Sequence, residues 1–335
     1  MSQRSWMLPD GVEEWLPPDS WDLEALRRKL LDHFRGHDYA LVATPIVEHL
    51  ETLLTGAGSD LEQQTFKFVD PDSGRLLGLR ADMTPQAARI AARRYADQPQ
   101  VRLCYLGTVL RTQASNLGGA RAIRQVGCEL FGEAGVAGDK EILRLLLATL
   151  DCAGVQGHHL DLGHVGIYRA IAARLGLGAE DEALLFDILQ RKSQPDLREL
   201  TVARQLDAQA SLWLRQLMEL NGTPAVLQQA RAELAELGDE VHQALDLLQA
   251  LVEDLQQQAP AVPIHIDLAE LRGYRYQTGM VFAAYVPGQG RELARGGRYD
   301  GVGAAYGCAR PATGFSADIN ELLRLGASAP EESPS

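Results

Sequence analysis

Several features are missing from this sequence, and each absence removes a class of function. Only four cysteines occur in 335 residues. Cys104, Cys128, Cys152 and Cys308 are widely spaced and include no C-x-x-C pair, which argues against a disulfide framework or a zinc site and reads as reduced thiols in a core. No apolar run reaches the ~18 residues of a membrane span. Met1 to Asp10 lacks the basic and then apolar order of a signal peptide. A soluble, cytoplasmic chain with no membrane partner is therefore expected. Positive charge is in deficit: the formal net charge is −13, a field that repels nucleic acid and anionic lipid, so no nucleic-acid partner is expected. Neither G-x-x-x-x-G-K-[ST] nor G-x-G-x-x-G follows any strand pattern, so a P-loop or dinucleotide fold is unsupported. The eight histidines are scattered. His158 and His159, with His164 nearby, form no chelating group, because adjacent strand residues point to opposite faces. No metal and no cofactor are expected.

What is present is a globular composition, 46% hydrophobic and 23% charged, with enough length for one large domain or two. Leu23, Leu26, Leu30, Leu31 and Phe34 recur at helical spacing, with Gly36 as a stop. Ala40 to Ala43 reads as a short strand. Thr65 to Val69 and Leu76 to Arg80 read as a hairpin through an Asp-Pro-Asp-Ser-Gly turn. Thr84 followed by Pro85 starts a helix that ends near Tyr95, with the threonine as its cap and proline at a position that loses no hydrogen bond. Two longer strands, Val101 to Arg111 and Ala122 to Phe131, are joined by a polar loop and suggest the centre of an antiparallel sheet. From about 168 to 255 the pattern is helical, with breaks near Gly176, Pro195, Gly222 and Gly238, and reads as an inserted module. Val262 to Leu268 and Met280 to Val286 return to strand, Phe315 to Leu325 reads as a closing helix, and 326–335 reads as a disordered tail.

Candidate chemistry concentrates in few places. In the strand Ala122 to Phe131, Val126, Cys128 and Leu130 share one face by the two-residue period, while Gln125 and Glu129 share the other across Gly127. One face is core, and the other is polar with a gap. Asp82 precedes the helix that begins at Thr84, where it either complements the helix dipole or holds a ligand amine. Arg295 to Gly301 is glycine-rich and reads as a structural turn, although its arginines would also suit an anion.

Four ordered segments resemble the catalytic core of histidyl-tRNA synthetases: Leu79-Arg80-Ala81-Asp82-Met83-Thr84, Arg124 to Gly132, Arg272 to Gly279, and Gly296-Gly297-Arg298-Tyr299-Asp300-Gly301. The resemblance runs from about Leu8 to Leu325. It implies a class II synthetase-like α/β fold of the α+β type, an antiparallel sheet flanked by helices with the helical module inserted, over residues 1–325. It also implies an amino-acid pocket. Arg111 matches the motif-2 arginine, Gln125 and Glu129 match the residues that hold the amine and the imidazole, and Asp82 replaces a glutamate with its charge kept. Thr84, Arg272 and Tyr276 match further positions that line this histidine pocket, whereas Gln277 replaces the second tyrosine of a pair and Arg275 replaces an aspartate.

The departures cluster on the ATP side. Gln113 and Ala114 replace a glutamate and an arginine, Ile123 replaces an adenine-stacking aromatic, and Asp318-Ile319-Asn320-Glu321 stands where the family has Gly-Leu-Glu-Arg. A carboxylate in place of that arginine would meet repulsion of about 4 kcal/mol at ~4 Å from a phosphate at an effective dielectric of 20. Loss of the attraction alone weakens binding about a thousandfold. No anticodon-binding domain is expected after the final helix. These losses are similar to those of the regulatory subunits of ATP phosphoribosyltransferase, a family paralogous to the synthetases. That resemblance implies a non-catalytic homodimer within a hetero-oligomer, partnered by the short-form catalytic subunit, with histidine as effector. The competing reading is a truncated histidyl-tRNA synthetase or related amino-acid-activating ligase.

Overall fold

The computed structural model describes residues 7–56, 59–114, 119–271, 273 and 276–327. The expected tail beyond 327, and Arg272 and Arg275 of the expected site, lie outside the described residues. The chain forms two compact units, one from 1–134, 145–156 and 300–335, the other from 135–144 and 157–299.

The first unit opens with α1 (Asp19–Gly36), which buries Leu23, Leu26, Leu30 and Phe34 at the spacing that puts them on one stripe. Acidic Asp19 and Asp22 in its first turn and Arg35 in its last suit the helix dipole. β1 (Ala40–Leu41) is shorter than the expected strand and pairs in parallel with the first long strand. β2 (Val47–His49), α2 (Leu50–Leu54), α3 (Ser59–Gln64), β3 (Lys67–Val69) and β4 (Leu76–Leu79) follow. The hairpin β3–β4 forms as its turn residues predict, and β4 also pairs with β2. α4 (Thr84–Arg94) carries Pro85 in its first turn, where no intrahelical donor is needed. Thr84 is not its cap: Met83 takes that position, and Asp82 Oδ1 accepts the Thr84 amide at 2.9 Å.

β5 (Val101–Leu110) and β6 (Ala122–Phe131) run antiparallel through ten residue pairs, as their apolar patterns predict. After α5 (Val136–Cys152) the second unit contains β7 (His159–His164), α6 (Val165–Leu175), α7 (Ala179–Gln190), α8 (Gln194–Ala203), α9 (Ala208–Glu219), β8 (Asn221–Gly222), α10 (Val226–Glu233), α11 (Asp239–Gln258), β9 (Ile264–Asp267), β10 (Met280–Tyr285) and β11 (Ala294–Arg298). Its sheet has the order β11-β10-β7-β9-β8, antiparallel except for the β7–β9 pair.

The helical stretch thus begins at Val165 and ends at Gln258, and it is interrupted by β8, which pairs with β9. Its expected breaks are visible: Gly176 adopts φ 58° to end α6, and Gly238 adopts φ 94° ahead of α11. The glycine-rich segment 295–301 is a strand as far as Arg298 and turns only at Asp300 and Gly301. Gly297 lies so close to the Met280 carbonyl and Gln277 that a Cβ there would come 2.5 Å from the first and 2.7 Å from the second, so the spacing serves strand approach.

Back in the first unit, β12 (Ala312–Asp318) lies antiparallel to β6, completing the order β1-β5-β6-β12, and α12 (Ile319–Ala327) follows. Phe315 is therefore in a strand, and the closing helix starts four residues later than its apolar spacing suggests. Alternation decides this, because the glycine at 314 and the small residues at 316 and 317 fit the centre of a packed sheet next to β6.

Candidate functional site

The register of three strands builds the floor of the site. Gln125 on β6 lies between Gly107 on β5 and Asp318 on β12, Gly127 between Tyr105 and Ser316, and Glu129 between Leu103 and Gly314. Residues directly opposite share a face, so Gln125, Tyr105 and Glu129 all belong to one side of the sheet. The expected polar face is real, and it is buried: Gln125 is 3% exposed and Glu129 0%.

Two glycines make room for these groups. The gap at Gly127 is filled by Tyr105, whose Oη would sit 2.5 Å from a Cβ added there. Gly314 lets the Glu129 carboxylate lie against β12, since a Cβ would collide with Glu129 Oε2 and come 2.6 Å from the Cys128 carbonyl.

The start of α4 closes over this face. Gln125 Nε2 donates to Asp82 Oδ1 at 2.9 Å while Gln125 Oε1 accepts the Met83 amide at 2.8 Å. Thr84 Oγ1 lies 2.9 Å from Tyr105 Oη, and Tyr105 Oη donates to Glu129 Oε1 at 2.9 Å. Asp82, Thr84, Gln125 and Glu129 are thereby brought into one hydrogen-bonded group. Arg111, just past β5, donates from Nε to the Ala81 carbonyl at 3.3 Å, beside the same segment. Burial first, and then the charges of Glu129 and Asp82, hold the Tyr105 phenol well above its ordinary value, so it stays protonated.

Tyr276 belongs to the second unit, where its ring stacks on Tyr299 at 5.0 Å between centroids. The neighbouring Gln277 carbonyl accepts from Arg169 Nη2 at 2.6 Å. Arg298, one of the arginines that would also suit an anion, is engaged by Asp139 through Nε and Nη2 at 2.8 to 3.2 Å and donates to the Gly135 carbonyl. In this state it is a structural cation.

At the start of α12, Glu321 pairs with Arg324 at 2.5 Å, and Arg324 also donates to Glu13 at 2.6 Å. The guanidinium groups of Arg124 and Arg324 both lie over the Trp15 ring, 5.7 and 5.2 Å from its centroid. Asn320 accepts from Arg124 Nη1 at 3.0 Å. Arg324, the cation nearest to the altered position, is shared by two carboxylates and offers less charge to a phosphate than an isolated arginine. Asp318 Oδ1 accepts the Asn320 amide at 3.0 Å, and burial pushes its carboxyl up to about 6.

Residues 11–322 match the family model described as Histidyl-tRNA synthetase. The chain is 53% identical over 320 residues to the ATP phosphoribosyltransferase regulatory subunit of Methylococcus capsulatus, covering 96% of this chain and 79% of that one. The corresponding protein of Thioalkalivibrio sulfidiphilus is likewise 53% identical, over 96% of this chain and 81% of its own. The chain belongs to the family of ATP phosphoribosyltransferase regulatory subunits.

The solved structure of an ATP phosphoribosyltransferase regulatory subunit/histidyl-tRNA synthetase from Bacillus halodurans C has a TM-score of 0.86 at 27% identity, covering 97% of this chain and 84% of that one. A histidine–tRNA ligase subunit from Alicyclobacillus acidocaldarius gives 0.79 at 28% identity, with 95% and 96% covered. The class II synthetase-like fold is thereby established for this member of the regulatory-subunit family.

Two residues of the site escaped the reading of the sequence, Tyr105 and Gly314. The signal for Tyr105 was available in part: a tyrosine at the centre of a long strand needs a small partner across the ladder, and Gly127 was already marked as a gap. Gly314 is intelligible only once β12 is seen to be a strand.

Proposed function

We propose that the chain is the non-catalytic regulatory subunit of ATP phosphoribosyltransferase, activating the short-form catalytic subunit in the first step of histidine biosynthesis and transmitting feedback inhibition by histidine. The observation that carries this reading is the contrast across one site. Asp82, Gln125 and Glu129 keep an ordered, acceptor-rich group suited to an amino acid, while Glu321 puts an acid where the family's arginine would meet the nucleotide phosphates. The effector pocket consists of Asp82, Thr84, Arg111, Gln125 and Glu129; the resemblance to histidyl-tRNA synthetases adds the positions of Arg272 and Tyr276. Asp82 receives the α-amine, and Glu129 receives an imidazole N–H.

The chain acts as a homodimer within a cytoplasmic hetero-oligomer, and residues 1–325 form one synthetase-type core with the helices of about 168–255 as an insertion. Inhibition requires that histidine bind two states of the complex with different affinity, since equal binding shifts nothing. Coupling of about 1 to 3 kcal/mol, roughly 5- to 150-fold, is ordinary for such control. The test is co-purification with the short-form catalytic subunit, followed by assay of phosphoribosyl-ATP formation with and without this chain and with histidine. Activation by this chain, reversed by histidine, is the expected result; no co-purification and no activation would overturn the reading. Histidine-dependent pyrophosphate exchange into ATP by the chain alone would favour the ligase reading instead.

A further inference from the structure

The hydrogen bonds of the pocket have a direction, and the direction decides what the pocket can bind. Tyr105 has one hydroxyl proton and two oxygens within 2.9 Å, Glu129 Oε1 and Thr84 Oγ1. Of the two bonds, the one to Glu129 Oε1 has Tyr105 Oη as its donor. The Tyr105 proton therefore goes to Glu129, and the Thr84 hydroxyl gives its own proton to the Tyr105 oxygen. Neither ring nor carboxylate has room to rearrange, because Tyr105 and Glu129 are both 0% exposed and the ring lies across Gly127.

Thr84 and Asp82 are half-buried at the reachable end of this chain of bonds. With its proton committed inward, Thr84 Oγ1 presents only lone pairs outward. Asp82 Oδ1 is occupied by the Gln125 amide and the Thr84 amide, which leaves Oδ2 as an acceptor. Gln125 spends its carbonyl on the Met83 amide and an amide N–H on Asp82. The reachable oxygens at this end thus accept hydrogen bonds and give none, an arrangement that fits a group with several N–H donors and a positive charge.

We propose that Tyr105 is a positioning residue that fixes Thr84 as an acceptor, so that the pocket selects ligands bearing a protonated primary amine. This rests on the reading of the pocket as an amino-acid site and adds its selection rule. Glu129, as acceptor of the Tyr105 proton, sets the polarity of Thr84 through Tyr105, so the imidazole end and the amine end are linked by one line of hydrogen bonds. Removing the Tyr105 hydroxyl leaves the Thr84 proton without its acceptor, able to turn outward and oppose the ammonium.

Calorimetry on the full chain tests this with three probes: histidine, histamine, which keeps the amine and lacks the carboxylate, and imidazole-4-propionate, which lacks the amine. Tyr105→Phe is expected to weaken histidine and histamine about fivefold to tenfold more than imidazole-4-propionate, the range of one net hydrogen bond, because all three probes share the loss at Glu129 and only the amines also meet the freed Thr84 proton. Thr84→Val, close in shape and without an oxygen, is expected to do the same, and Thr84→Ser, which keeps the hydroxyl, to behave as the wild type. Equal effects of Tyr105→Phe on all three probes, or none on the two amines, overturn the relay and leave the pocket standing. Failure of the wild type to bind any of the three overturns the pocket and the relay together.

Discussion

Arg298 and Asp139 form an ion pair held by Nε and Nη2, and their side chains are only 7% and 0% exposed. Removing one partner leaves a charge in a site without water. Arg298→Ala or Asp139→Ala is therefore expected to cost about 3 to 5 kcal/mol of stability, and the double replacement by apolar residues of similar volume much less than the sum. Urea unfolding of the three variants measures this, and additive losses would show that the pair is not coupled.

Acid stability is expected to reflect two groups with opposite slopes. Burial, then the charges of Arg169 and Arg298, push His164 down to about 4, and its Nδ1 accepts the Gly166 amide at the start of α6. The unfolded chain binds that proton first, so this contribution is present above pH ~6.5 and is lost as pH falls toward 4. Asp318 works the other way. Its carboxyl is pushed up to about 6, so the folded chain binds the proton first, and stability from this group falls as pH rises from about 4 to about 6. Asp318→Asn, which keeps an N-cap oxygen, is expected to steepen the loss of stability on acidification, and His164→Asn to flatten it. Urea midpoints between pH 4 and 8 separate the two.

Restoring the family arginine alone is expected to restore no catalysis. Glu321→Arg sets a cation three residues before Arg324, exchanging an ion pair for like charges at a cost of ~0.5 kcal/mol, while Gln113, Ala114 and Ile123 remain. Wild type and variant are both expected to give no histidine-dependent pyrophosphate exchange. Exchange by the wild type would overturn the assignment of Glu321 to the lost nucleotide site.

Gly127→Ala is expected to destabilise by about 1 to 3 kcal/mol, the usual cost of overpacking. The added methyl meets Tyr105 Oη and Cζ at 2.5 and 2.6 Å and the Phe315 carbonyl at 2.7 Å, and neither backbone nor a fully buried ring yields cheaply. Unfolding midpoints measure the cost. Histidine affinity is expected to fall with it, because the same ring holds Glu129.

The start of α4 was legible because Pro85 marks a first turn, and the long strands and the helical stretch were legible because each repeats a local period several times. Gln125 and Glu129 were legible as a polar face for the same reason, and the family resemblance gave them chemistry. Thr84 differs from its expected role as cap because the helix starts one residue earlier than its Thr-Pro pattern suggests, with Met83 at the cap position and the Thr84 amide given to Asp82 Oδ1. Arg295 to Arg298 and Phe315 lie in strands against expectation because glycine supports both turns and close strand packing, and only the neighbouring strand tells which. Tyr105 illustrates the general limit: its role depends on a residue 22 positions away, at Gly127, through a register that no local pattern states.

β6 is paired along its length to β5 and, from Gln125 to Phe131, also to β12. Amides inside such a ladder exchange with deuterium only when the whole unit opens. The segment from Asp82 to Thr84 is tied to that floor by side-chain hydrogen bonds and by the buried Met83 side chain packed with Tyr105 and Val109, with no backbone ladder across it. Exchange rates are therefore expected to divide the pocket into a permanent wall and a movable one, with ligand entering and leaving on the side of α4 at a rate set by that lighter hinge.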